Sequence, residues 1–187
     1  MIAVYIIIGV VLVILIPLIM TYNGLVGLRN RVRNAWAQID VQLKRRHDLI
    51  PNLVETAKGY MTHERGTFEA VTKARNLAQK AVGTGVGAQS KAEGELSGAL
   101  SRLLVVVENY PDLKASQNFL ALQEELASTE NKISFSRQFY NDSVLRYNNK
   151  TQMFPSNILA GMMNFKASEF FEVEVVEERE APKVSFS

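Results

Sequence analysis

At 187 residues, 47% hydrophobic and 21% charged with a formal net charge of +2, the chain has the composition of an ordinary folded protein, and nothing in its overall charge suggests a polyanion as partner. The lack of cysteine excludes thiol catalysis, thiolate metal sites, disulfides and a lipid-modified cysteine. Charge is unevenly placed: over residues 29–47, Arg29, Arg31, Arg33, Lys44, Arg45 and Arg46 stand against Asp40 alone.

Residues 2–20 form an apolar run without a charged side chain. At ~1.5 Å per residue it makes a helix of roughly 28 Å, close to the ~30 Å hydrocarbon thickness of a bilayer. Tyr5 and Tyr22 bracket it at headgroup depth, and Pro17 near its end is compatible with a span. A cleaved signal peptide is disfavoured, because no basic residue precedes the run and no pair of small residues marks a cleavage site. Arginines behind the span and none before it orient the N-terminus outward and the following domain toward the cytosol.

After Tyr22, Leu25, Leu28, Val32, Trp36, Ile39, Leu43 and Ile50 recur at steps of three and four, which predicts a helix continuing straight from the span, with Gly24 and Gly27 as its weak points. Pro51 is expected to kink this helix, or to restart it with Asp48 as cap, before Leu53, Ala57 and Tyr60 extend the face. A second helix is predicted over 62–82. Three glycines within residues 83–87 then make a loop. Ser90 and Glu93 have the spacing of a capping box opening a third helix, which Pro111 ends near Asn109. A fourth helix over 113–149 carries Phe119, Leu122, Leu126, Thr129, Ile133, Tyr140, Val144 and Tyr147 on one seam. In the last segment Phe171, Val173 and Val175 alternate with Glu172 and Glu174, the pattern of a half-buried strand in need of a partner. The expected class is all-α: a transmembrane helix (1–22) continuous with an antiparallel four-helix bundle (23–154), then a tail (155–187) with a short helix and a β-strand.

Candidate chemistry is thin. His63-Glu64 begins a zinc-protease motif, but Thr67 replaces the second histidine, and His47 is the chain's other histidine. The glycine loop lacks the preceding strand and the following Lys-Ser/Thr of a phosphate cradle. Gly94 and Gly98 lie beside Glu93 and Glu95, which exclude that pair from lipid. Carboxylates such as Glu108 and Asp112 have no evident pocket to shift them. Lys44, Arg45 and Arg46 lie ~36 Å beyond Met20 by helical rise, too far for strong coupling to lipid charge. No aromatic residues interleave them to favour nucleic acid. Partners among Glu124, Glu125 and Glu130 are the better expectation. The residues singled out as a candidate interaction surface are Lys44, Arg45, Arg46, Asp48, Phe171, Val173 and Val175. No catalytic residue, cofactor or metal ligand is assigned.

Residues 22–64, with the word LIPNLVET, the block ENYPDLKA at 108–115, residues 119–148, and FPSN ahead of FFE closely resemble the bacterial LemA family in its own order. The resemblance implies a single-pass membrane protein with a cytoplasmic helical bundle. It implies no catalytic residues, and links some members to membrane proteases and envelope stress. The expected function is a non-enzymatic, self-associating membrane scaffold or adaptor. The alternative is an accessory subunit regulating a membrane protease or stress sensor. Expected partners are the lipid bilayer, further copies of the chain and other membrane proteins, not nucleic acid.

Overall fold

The computed structural model describes residues 1–172 and is all-helical there. Its elements are α1 (Ile2–Lys58), α2 (Arg65–Ala81), α3 (Val86–Val107), α4 (Pro111–Lys114), α5 (Gln117–Gln152) and α6 (Ser156–Met162). The alternating segment expected as a strand falls mostly at residues 173 onward, outside the described residues, and Phe171 and Glu172 have no regular secondary structure.

α1 is a single helix of 57 residues, so Gly24 and Gly27 do not interrupt it and Asp48 caps nothing. The expectation of a restart at Pro51 is overturned, and the reason is local. Proline lacks the N–H that would bond the carbonyl four residues back, which here belongs to His47. That carbonyl instead accepts a hydrogen bond of 2.8 Å from Arg75 Nε on α2. The helix ends at Lys58, before Tyr60, which is exposed rather than part of the buried face.

Three other boundaries move. α2 opens at Arg65 rather than at residue 62. α3 opens at Val86, one turn before Ser90, because Gly83 and Gly85 adopt φ of +79° and +123° and turn the chain early. Ser90 and Glu93 therefore lie inside α3 and cap nothing; the N-cap is Gly85. Pro111 opens its own single turn, α4, and α5 follows from Gln117 instead of starting at Leu113.

The chain divides into two compact units. One consists of Met1–Val41 and Ser134–Phe170. In it, α1 supplies buried Leu25, Val32, Ala35 and Ile39, and α5 supplies Tyr140, Val144 and Tyr147. The Trp36 and Tyr140 rings meet edge to face at 5.2 Å. Arg29 and Arg33 both act electrostatically on the Tyr147 hydroxyl while Tyr140 meets Trp36, so this stretch of α5 runs antiparallel to α1. Residues 163–170 have no regular structure and are fixed by side chains of α5. Asn148 donates to the Ser168 carbonyl and accepts from the Ser168 N–H, each at 2.9 Å, and the Tyr140 hydroxyl donates to the Glu169 carbonyl at 2.8 Å.

The other unit is made of Gln42–Ile133 with residues 171 and 172. Its apolar core joins Ile50, Leu53 and Ala57 of α1, Phe68 and Val71 of α2, Leu96, Leu100 and Leu103 of α3, Leu113 of α4, and Phe119 and Leu126 of α5. The spacing is three or four residues on α1, α2 and α3 and seven, two turns, on α5, which places the buried side chains on one stripe.

Candidate functional site

Lys44, Arg45 and Arg46 of α1 lie in this second unit, and the helix divides them by phase. Lys44, Arg45 and Asp48 are exposed. Arg46 is only 1% exposed, and His47 is buried with it. Arg46 is thus no part of a surface. It lies on the stripe Ile39, Leu43, Arg46, Ile50, Leu53, three residues after one apolar member and four before the next.

A guanidinium removed from water needs matched charge and hydrogen bonds. Nη2 of Arg46 pairs with Glu93 Oε2, and both side chains are buried. Nη1 bonds Glu130 Oε2 at 2.7 Å and Ser97 Oγ at 2.8 Å. His47 Nε2 lies 3.0 Å from Glu93 Oε1 and 3.3 Å from Oε2. A ring nitrogen facing an ionised carboxylate must carry the proton, so His47 donates there. Burial pushes the Glu93 carboxyl up, but the hydrogen bond from His47 and the charge of Arg46 outweigh it and hold the group below its ordinary value. Above the network, Arg45 meets Glu125 at 2.5 Å with both side chains about half-exposed. Glu125 and Glu130 are two of the three α5 acids anticipated as partners for the basic run.

The cluster ties α1, α3 and α5 through charge. It presents one histidine and two carboxylates, one of them half-exposed, and among the described residues no group of three metal-ligating side chains occurs. Its charged groups face one another across three helices, with Arg46 Nε left buried without a hydrogen bond, which suits a lock on helix register better than acid-base chemistry.

Phe171 is buried in the same unit. The Ser90 hydroxyl donates to the carbonyl of Glu172, so the chain returns to α3 one turn from Glu93. Val173 and Val175 lie outside the described residues. Sequence reasoning missed His47, Glu93 and Ser97. The available signal was a gap: the α1 face steps from Leu43 to Ile50, a full two turns, and the α3 stripe Leu96, Leu100, Leu103 runs back onto Glu93.

A groove of about 870 Å³ opens along α2 and the residues after α1. Met61, Phe68 and Leu77 line it together with Lys58, Lys73 and Lys80.

The first helix also has the properties of a span. It contains a window of mean hydropathy 3.2, none of it buried. A core helix of the same composition would be covered, so this one is long, apolar and bare enough to cross a membrane.

The LemA family profile matches residues 35–186. The chain is 26% identical over 179 residues to magnetosome protein MamQ 2 of Paramagnetospirillum magneticum, covering 83% of this chain and 66% of that protein. It is 25% identical over 178 residues to magnetosome protein MamQ of Magnetospirillum gryphiswaldense, with 82% and 65% covered. Against protein LemA of Metamycoplasma hominis the identity is 28% over 159 residues, with 82% and 72% covered. The chain therefore spans just under two thirds of the length of the magnetosome relatives. With most of its length under one family profile, the chain belongs to the LemA family.

Proposed function

We propose that this LemA-family protein is a non-enzymatic scaffold anchored in the bacterial cell (inner) membrane, N-terminus outward, whose helical part faces the cytosol and self-associates. The observation that carries the reading is the contrast between an apolar segment of α1 left bare and charged side chains buried against one another across helices. The first needs a bilayer, and the second leaves those groups engaged in holding helices together. The unit of residues 42–133 is read as the antiparallel four-helix bundle, with segments of α1, α2, α3 and α5 around one core. The resemblance to magnetosome proteins supports a role at a membrane. Mass photometry of the full chain in mild detergent tests self-association: oligomers at micromolar concentration are expected, and a strictly monomeric particle overturns the claim.

The α2 groove favours a second reading, an accessory subunit that docks an acidic segment of a membrane protease or sensor. Its apolar floor and its lysines suit such a segment. Charge reversal belongs at Lys73 and Lys80, because reversing Arg46 would break the buried network instead. K73E/K80E is expected to abolish crosslinked capture of the protease with helicity intact; undiminished capture argues against this reading.

A further inference from the structure

The unit that carries the span has a second apolar surface. Met153, Phe154, Ile158, Met162 and Met163 are all exposed, Phe154 at 81% and Met162 at 77%. They occupy the turn between α5 and α6, the outer side of α6 and the residue that ends it. Ile158 and Met162 stand one turn apart, whereas Ser156, Leu159 and Ala160 are buried on the opposite side. Five large apolar side chains on so short a stretch form a patch that requires a cover.

The geometry of the unit says where the patch lies. Tyr140 is level with Trp36, and Tyr147 is within electrostatic reach of Arg29 and Arg33. Carried on at the same rise, this antiparallel register brings Gln152, the last residue of α5, level with Gly24, and the following Met153 and Phe154 toward Tyr22. Tyr22 is ~3 Å along the helix from Met20, within the headgroup layer by helical rise. A direct contact agrees: the Phe165 ring, three residues beyond α6, packs edge to face on Tyr22 at 6.0 Å between centroids. Arg29 covers the same ring at 5.0 Å. Lys166, exposed next to Phe165, is placed for an anionic headgroup.

We propose that α6 and the residues before it are a second membrane contact, with Phe154, Ile158 and Met162 seated at the headgroup–acyl boundary of the leaflet from which α1 emerges. The occupant is lipid, because the register puts the patch at the depth of the span's end. Such a contact resembles an interfacial amphipathic helix, here held in place by the protein's own anchor. It also restrains α1 against rotation in the membrane, since the patch lies to one side of that helix.

The chain has no cysteine, so single-cysteine variants label at one place each. M162C, I158C and F154C would each carry an environment-sensitive fluorophore, as would F135C. Phe135 is 73% exposed, yet sits more than a turn above Tyr140, ~30 Å from the span by helical rise. The full-length labelled proteins are reconstituted in phosphatidylethanolamine–phosphatidylglycerol vesicles at fewer than one copy per vesicle. Lipid-borne nitroxide is expected to quench the three patch sites several-fold more than F135C, while aqueous iodide does the reverse. Equal iodide quenching at all four sites overturns the proposal. So does protection that appears only with many copies per vesicle, which would mark a contact between copies. Circular dichroism checks each variant, and any one patch site that retains helicity is enough to distinguish lipid from water around α6.

Discussion

The two units solve the same problem, holding helices in register, with different chemistry. In the unit of Met1–Val41 and Ser134–Phe170, aromatic rings pack between α1 and α5, and neutral side chains hold an irregular segment by its backbone. In the unit of Gln42–Ile133, an arginine and a glutamate are buried together across α1 and α3. Neutral hydrogen bonds cost little when formed and about 1 kcal/mol each when lost. Buried charge behaves otherwise: as a pair it adds little over an apolar core, but half a pair is severely unfavourable. The second unit is therefore more selective about register and more fragile toward single substitutions.

The largest expected effect follows directly. Glu93→Ala leaves Arg46 Nη2 and His47 Nε2 buried without their carboxylate, with only the half-exposed Glu130 left to pair Arg46, and should cost about 3–5 kcal/mol in denaturant unfolding. Replacing Arg46 by Met and Glu93 by Leu together should recover most of that loss; no recovery would mean that packing, not charge, sets the cost. The sign with pH is fixed by the same group. Glu93 binds its proton less tightly folded than unfolded, so its contribution is complete above its ordinary value of 4.5 and is lost as pH falls through the lowered folded value. Acid titration of a Glu93→Gln protein should show a flatter loss of stability below that point.

Next comes the bond that replaces what Pro51 lacks. Arg75→Ala should cost about 2 kcal/mol, because a buried carbonyl loses a charged donor. In a Pro51→Ala background the new N–H can serve the His47 carbonyl, and the same change should cost clearly less. A double-mutant cycle showing no coupling would refute the compensation.

A comparable but local effect is expected in the first unit. Asn148→Ala removes both bonds to Ser168 and should cost about 2 kcal/mol, raising amide exchange around residues 165–170 before that of α5. Tyr140 reports on the same place. Burial raises its hydroxyl to about 12, so the stabilisation it lends is whole below its ordinary value of 10 and fades as pH rises through 12. Freeing the segment should bring the tyrosinate absorbance to lower pH.

The smallest effect is at Arg45. Its bridge to Glu125 is half in water, so Arg45→Ala should change stability by less than about 1 kcal/mol. A loss as large as that of Glu93→Ala would erase the distinction drawn between the neighbours Arg45 and Arg46.

That pair also shows what could be read beforehand. Apolar spacing announced the helices, since Leu25, Val32, Ile39, Leu43 and Ile50 are all buried. The acids of α5 were legible as partners because charge of one sign on one helix invites the other sign nearby. What spacing showed was a gap between Leu43 and Ile50, but not that a charged residue could fill it. Within the letters Lys-Arg-Arg-His the third falls on the apolar stripe, and partners on other helices, Glu93 above all, make its burial tolerable. Ser90 and Glu93 show the same limit from the other side: their spacing fits a cap, but two glycines set the start of α3 a turn earlier. At Pro51 a restart is one of two readings, and what makes it unnecessary, Arg75, comes from a different helix.

The first unit is discontinuous in sequence, and this orders its birth. Its two parts are separated by residues 42–133, which a ribosome adding ~5–20 residues per second needs roughly 5 to 20 s to make. The neighbouring unit has nearly all its residues before Ser134 is joined. During that interval Leu25, Val32 and Ile39 wait for Tyr140, Val144 and Tyr147, while the apolar residues 2–20 are already available to a bilayer. Membrane entry thus precedes closure beside the membrane. Trp36, the chain's one tryptophan, stays wet until α5 arrives, and its fluorescence would time that arrival.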